Sequence, residues 1–283
     1  MKARYLNPFT DFGFKKLFGE EASKPLLIDF LNALLPLKHA ITEVRFRNAE
    51  QLGGGLEERK AVYDIYCTDS SGSYFIVEMQ KAKQNFFKDR TLFYTTFPMR
   101  EQAEKGSWNF ELKAVYCVGI LDFVFEDDAH NPDYVHEIKL KNQKNQVFYD
   151  KYALYFIEMP KFHKAEEELA TQLEKWVYLL KHLEEFPQMP ERFQDTVLEQ
   201  AFEIAELAHL SEAERANYES SLKHYRDIIN VIDTARLEGH AEGIEAGRQA
   251  ERFALARQMK QDGVSATRIV QYTGLTAEEI ESL

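Results

Sequence analysis

The sequence predicts an α/β protein: a mixed sheet flanked by helices, followed by an all-helical C-terminal extension. Three observations carry this. Strand-like runs separated by turn residues alternate with helical patterns up to about residue 160. One of those runs, Leu112 to Leu121, is apolar almost throughout, as a strand covered on both faces is. From Pro160 onward the patterning is helical nearly to the C-terminus.

Residues 13–19 and 23–35 read as helices. Asp11 can cap the first. Ser23 is a suitable N-cap for the second, with Pro25 in its first turn and Leu26, Leu27, Phe30, Leu31 and Leu34 at helical spacing. Ile41 to Glu50 reads as a strand, and Gly53-Gly54-Gly55 breaks the chain. Two strand-like runs follow, Ala61 to Cys67 and Tyr74 to Gln80, joined by the turn residues Asp69-Ser70-Ser71-Gly72-Ser73. Residues 84–104 form a helix containing Pro98, residues 134–142 and 153–158 are later strands, and Asn142 to Gln146 is a polar turn. Leu169, Leu173, Trp176, Val177 and Leu180 mark the apolar face of a further helix. Another runs from about Glu191 to Leu207, and a third begins near Glu212. The organisation predicted is a core over residues 1–160, a helical region packed on it over 161–232, and a tail over 233–283.

Ser71 is the midpoint of the predicted hairpin, and Asp64 and Glu78 lie symmetrically about it. A regular antiparallel hairpin brings these carboxylates together on one face, with Cβ atoms about 5 Å apart. Two carboxylates that close repel unless a cation lies between them, and oxygen-only ligands suit a hard divalent ion. Gln80, two residues beyond Glu78, faces the same way. Asp64 and Glu78 are therefore candidate metal ligands, with Gln80 beside them.

This Asp-x13-Glu-x-Gln pattern and its surroundings resemble the PD-(D/E)XK nucleases, closest to the recombination-promoting nuclease and transposase branch. The resemblance rests on Asn7-Pro8-Phe9-Thr10-Asp11-Phe12-Gly13-Phe14-Lys15-Lys16-Leu17-Phe18-Gly19, on Tyr63-Asp64-Ile65, on Ile76-Val77-Glu78-Met79-Gln80, on Arg90-Thr91-Leu92-Phe93-Tyr94 and on the Gly-spaced tail with Thr273-Gly274-Leu275-Thr276. It covers nearly the whole chain. It implies a restriction-endonuclease-like fold and Mg²⁺-dependent cleavage of DNA, with Mn²⁺ as a substitute. Asp64, Glu78 and Gln80 are then catalytic, the two carboxylates holding the metal. The wider superfamily has Lys where this chain has Gln80, and an amide brings no positive charge. Lys15, Lys83 or Arg90 can supply it, and Lys15 is taken as the fourth catalytic candidate. Asp11 and Glu20 are candidates for a further carboxylate, and Tyr94 either orients a ligand or fills the core.

Composition agrees with a globular chain, at 45% hydrophobic and 13% aromatic. No apolar run approaches the roughly 20 residues of a membrane span. The N-terminus lacks the apolar region of a signal peptide, so a cytoplasmic protein is expected. Cys67 and Cys117 fall in strand-like runs and read as buried, reduced thiols. The net charge of −12 is uneven. Residues 1–125 carry 17 Lys+Arg against 16 Asp+Glu, and the remainder 18 against 31. The half with the candidate site is thus balanced, and phosphate contacts need local positive charge only. Among the eight histidines none pairs at metal-ligand spacing, and no P-loop or dinucleotide fingerprint occurs.

The tail leaves alternatives open. Gly239, Gly243 and Gly247 recur every four residues, forming either a smooth ridge for close helix approach, as in a homodimer through the C-terminal helices, or a flexible linker helix. Residues 259–275 resemble a helix-turn-helix, with only Lys260 and Arg268 as cations in its last two helices, so protein contact and DNA contact are both open. A catalytically weak DNA-binding or protein-interaction module, or an RNA nuclease with the same chemistry, are the alternatives to a DNA endonuclease.

Overall fold

The computed structural model describes residues 3–51, 61–103, 109–194 and 196–283. The predicted break at Gly53-Gly54-Gly55 lies outside the described residues. The chain divides into two compact units, Met1–Arg226 and Asp227–Leu283.

The first unit opens with helices α1 (Asp11–Phe18) and α2 (Lys24–Leu34). The strands are β1 (Val44–Phe46), β2 (Glu50–Gln51), β3 (Ala61–Val62), β4 (Ile65–Asp69) and β5 (Tyr74–Gln80). Helix α3 (Phe87–Glu101) leads into β6 (Val115–Leu121), β7 (Val135–Lys141) and β8 (Val147–Glu158). Helices α4 (Gln172–His182) and α5 (Val197–Ala205) follow, and α6 (Glu212–Gln261) begins in this unit and ends in the next. Six strands form one mixed sheet in the order β1-β4-β5-β6-β8-β7, while β2 and β3 pair separately. β4 runs antiparallel to β5, β5, β6 and β8 run parallel, and β7 returns antiparallel on β8. This is the predicted fold class.

Strand alternation divides the sheet between two cores. Phe75, Val77, Met79, Val118, Ile120 and Ile157 join one with residues of α1, α2, α4 and α5. Tyr66, Ile76, Cys117, Leu154 and Phe156 join the other with Phe87 and Phe97 of α3. Both cysteines are buried and free. Among the described residues no helix is long and apolar enough to cross a membrane.

Several boundaries differ from the sequence expectation, each for a physical reason. Thr10, not Asp11, caps α1: its hydroxyl accepts the Gly13 N–H at 2.9 Å, while Asp11 pairs with Lys15. Ser23 makes no cap of α2 with its side chain, because its hydroxyl is bonded to the Glu20 backbone. Only Val44–Phe46 of the run from Ile41 to Glu50 pairs in the main sheet. Helix α3 starts at Phe87 because Phe86 takes a left-handed backbone conformation, φ 60°. β8 extends back to Val147, since the Asn142–Gln146 turn returns the chain directly onto β7. The helix expected from Glu191 to Leu207 is reduced to α5, flanked by single turns of 3-10 helix.

The opening Asn7–Gly13 motif is a folded unit that anchors α1. Asn7 Oδ1 accepts the Phe9 N–H, and the Asn7 carbonyl accepts the Thr10 hydroxyl at 2.8 Å. Asn7 Nδ2 donates to Glu184 at 2.6 Å, and the Asn7 N–H donates to the Tyr218 hydroxyl. Gly13 is required by contact: a Cβ there would stand 2.2 Å from the Asn7 carbonyl oxygen.

In the second unit, α7 (Ala266–Thr273) and α8 (Ala277–Glu281) pack with the end of α6 around Ala256, Ile269, Leu275 and Ile280. Gly263 and Gly274 make the turns at positive φ. Lys260, one of the two cations of the helix-turn-helix-like segment, donates to the carbonyls of Ile280 and Glu281. Gly239, Gly243 and Gly247 lie within α6, exposed, with nothing within 4 Å of where a Cβ would be.

Two glycine substitutions should therefore act oppositely. Gly13→Ala should destabilise the first unit by about 1–3 kcal/mol in urea unfolding, because the backbone at Asn7 must move. Gly243→Ala should raise helicity by circular dichroism and stabilise α6 locally by roughly 0.5–1 kcal/mol, since Ala meets no obstacle there.

Candidate active site

Glu78 and Gln80 stand at the C-terminal end of β5 on the face covered by α3, alternating with Val77 and Met79, which enter the opposite core. In the parallel ladder Glu78 is beside Gly119. A Cβ at Gly119 would lie 2.8 Å from the Phe156 ring, so glycine lets that ring close over β6 next to Glu78.

The β4–β5 register is the one the turn predicts, every pair being equidistant from Ser71. The ladder stops at Ile65 opposite Val77, one step short of Asp64 and Glu78. Asp64 instead sits in a bend, and its Oδ2 accepts the Met79 N–H at 2.8 Å. The side chain thus takes a backbone donor of β5 itself. Tyr63, just before the bend, buries its ring against Tyr66 and Tyr94 and donates its hydroxyl to the Tyr94 carbonyl.

The two carboxyls are strongly perturbed. Burial pushes Glu78 up to about 8, and the negative charge of Asp64 adds to the rise. Arg90 and a hydrogen bond from Gln80 oppose it. Asp64 is also raised, first by burial, against the Met79 N–H, with Asp11 adding to the rise and Lys15 and Lys81 opposing it. Folding therefore couples Asp64 to Glu78 on one side and to Asp11, Lys15 and Lys81 on the other.

Lys15 does not reach the Glu78 side. Half-exposed on α1, it bonds Asp11 at 3.1 Å and touches the site through its field on Asp64. Lys81, just past β5, joins that same group, and burial lowers its pKa. Lys83 pairs with Glu126 and Lys88 with Asp127. Glu20 pairs with Lys16. Gln80 Nε2 donates to Glu78 Oε2 at 3.2 Å, and Gln80 Oε1 accepts from Arg90 Nη2 at 2.7 Å. Tyr94 lies under the Arg90 guanidinium, 5.6 Å from its ring centroid.

Whether the pair suits a divalent cation can be judged from its unmet valences. Glu78 Oε1 is buried without a hydrogen-bond partner among the described residues. An oxygen acceptor so placed costs free energy unless a cation or a proton meets it. With Asp64 coupled to it, the donor set is oxygen-only and fits Mg²⁺ or Mn²⁺.

Folding also assembles a group that sequence spacing did not reveal. Ligand atoms of Asp128, His136 and Glu158 lie within 4.8 Å of one another. Glu158 is fully buried at the end of β8, in the ladder row of Leu121 and hence of Gln80. Its Oε1 accepts the Phe125 N–H, and its Oε2 meets Lys161 at 2.5 Å and His136 at 2.8 Å. The Lys161 ammonium already stands where a metal would neutralise Glu158. Its signal in sequence is only an acidic residue ending a strand three residues before a Lys, which is too common to be read.

A hairpin feeding into parallel strands, with an acidic pair at the end of the central one, defines a nuclease-fold protein of the α/β class. The family model for the PD-(D/E)XK nuclease family transposases matches residues 8–235, and the chain belongs to that family. Its function is accordingly of nuclease type. No curated protein and no solved structure matches it.

The raised Glu78 value has a measurable consequence in the metal-free protein. The folded value lies above the ordinary 4.5, so the neutral carboxyl stabilises the fold. That contribution is complete below the ordinary value and is lost as pH rises through about 8. Urea unfolding in EDTA should show wild-type stability falling over this range by on the order of 2–4 kcal/mol more than in Glu78→Gln. Parallel pH profiles for the two proteins would overturn the assignment.

Proposed function

We propose that the protein is a cytoplasmic, Mg²⁺-dependent DNA endonuclease of the recombination-promoting type, with Asp64 and Glu78 as metal ligands and Gln80 and Lys15 as further catalytic residues. The single observation that carries this reading is the buried Glu78 carboxyl, with Oε1 unpartnered, coupled electrostatically to the half-buried Asp64. The family supports phosphodiester cleavage as the reaction class.

When bound, a divalent ion polarises a phosphate oxygen and makes a coordinated water more acidic. The chain's own residues do the rest. Asp64, fixed by the Met79 N–H, holds one carboxylate oxygen in place and leaves Oδ1 for a ligand. Glu78 would have to give up its proton to hold a cation, so proton and cation compete for this buried carboxyl. The Gln80 amide directs an N–H toward Glu78 and cannot act as a base. Lys15 and Lys81, on the Asp64 side, attract the anionic backbone of the substrate.

Asp64→Asn is the informative variant, because Asp64→Ala would also strip the Met79 N–H of its acceptor, at about 1–3 kcal/mol. Wild type should nick supercoiled DNA in Mg²⁺ and be stabilised by the ion. Asp64→Asn should keep its apo melting temperature, lose the Mg²⁺ stabilisation and cleave on the order of 100-fold more slowly or not at all. Equal Mg²⁺ stabilisation of both proteins would place the metal elsewhere. DNA retention without cleavage by wild type would favour a binding module, and preferential cleavage of RNA would change the substrate.

A further inference from the structure

The carboxylate pair leaves a second feature of the same face unexplained. Arg90, in the first turn of α3, lies over the rings of Phe87 and Tyr94, 5.6 Å from each centroid. One guanidinium nitrogen donates to Gln80 Oε1 at 2.7 Å and the other to Gln84 Oε1. Gln80 spends its other end on Glu78, so its amide is oriented by partners on both sides. The result is a fixed chain, Glu78–Gln80–Arg90.

Both ends of that chain carry an unmet group. Among the described residues only three buried side-chain polar atoms lack a hydrogen-bond partner, and two of them are Glu78 Oε1 and Arg90 Nε. An unmet acceptor calls for a cation, and an unmet N–H calls for an anionic oxygen. A phosphodiester bound to a metal offers both at once. Arg90 has further N–H groups beyond the two that bond Gln80 and Gln84, in the planar array that suits phosphate. Lys15 is half-exposed and already paired with Asp11, on the other side of Asp64.

The geometry points to Arg90 as the residue that binds a phosphodiester oxyanion in this site, with Gln80 as the residue that positions it. The guanidinium then supplies the positive charge that an amide at position 80 lacks. A phosphate oxygen that accepts from Arg90 is held beside Glu78 by the Gln80 bridge, and charge developing on it in the transition state meets a fixed cation. This deepens the nuclease reading and rests on it for the cleavage arm alone.

The test measures binding and cleavage separately. Binding of a fluorescently labelled DNA duplex is followed by anisotropy in Ca²⁺ across a salt series, for wild type, Arg90→Lys, Arg90→Met and the double variant Gln80→Lys/Arg90→Met. Loss of one phosphate contact should make the slope of log affinity against log salt shallower by about 0.9 in Arg90→Met. Arg90→Lys should keep the wild-type slope. In Mg²⁺, Arg90→Met should cleave on the order of 100-fold more slowly, the loss typical of one oxyanion donor. The double variant should regain roughly tenfold, because Lys at position 80 returns an ammonium beside Glu78. An unchanged salt slope in Arg90→Met overturns the inference, and so does a double variant no faster than Arg90→Met. If Arg90→Met unfolds, Arg90→Gln, alone and combined with Gln80→Lys, replaces it in both readouts, with the same expected and overturning results. If wild type cleaves nothing, the nuclease reading fails and the salt slope alone decides on Arg90.

Discussion

The burial of the Glu78 carboxyl at the end of β5, coupled to the half-buried Asp64 across from it, is the constraint on which this structure turns. Water is excluded from Glu78 by the sheet on one side and by α3 on the other, so its charge must be met by protein, proton or cation. The protein meets it only in part. Gln80 bonds one oxygen and leaves the other unpartnered. A core built for stability alone would put an apolar side chain there, as Ile76 is one step earlier on the same face. The unmet oxygen is a stability cost that becomes useful when a ligand neutralises it.

Everything around the pair serves to keep it where it is. The parallel ladder fixes β5 against β6, and Gly119 admits the Phe156 ring that closes the space beside Glu78. The bend at Asp64 ends the antiparallel ladder and turns its carboxylate onto the Met79 N–H. Helix α1, anchored through the Asn7–Gly13 unit, brings Lys15 to one side of Asp64, while α3 brings Arg90 to the other face. The site is thus a strand end held between two helices of different cores, with positive charge arriving from both.

The Glu158 group shows why burial alone does not make such a site. It has the same ingredients, a buried carboxylate in the same ladder row with a titratable neighbour. There, both oxygens are engaged and a lysine three residues away supplies the countercharge internally. A satisfied network locks the ends of β7 and β8 together and leaves no valence for a ligand. The two clusters differ in an unmet oxygen at Glu78 and an internal ammonium at Glu158.

The hairpin register and the shared face of Glu78 and Gln80 were legible because they depend on short-range rules. A turn centred on Ser71 sets which residues pair, and a period of two sets which way they point. The continuous apolarity of β6 likewise announced its central place. By itself, then, the sequence determined the order of elements and the mixed sheet, and it marked Asp64 and Glu78 as candidates. Tertiary packing decided the rest. Asp11 has the chemistry of a cap, yet Thr10 fills that role because Gly13 lets the chain close on the Asn7 carbonyl. Asp64 leaves the ladder for a backbone donor fifteen residues away. Among three candidate cations, the one that bonds Gln80 is Arg90, and its approach is set by the seating of Phe87 and Phe97 against the sheet. Spacing along a chain fixes neighbours within a turn or a hairpin; which charge ends beside which across two cores depends on how those cores fill.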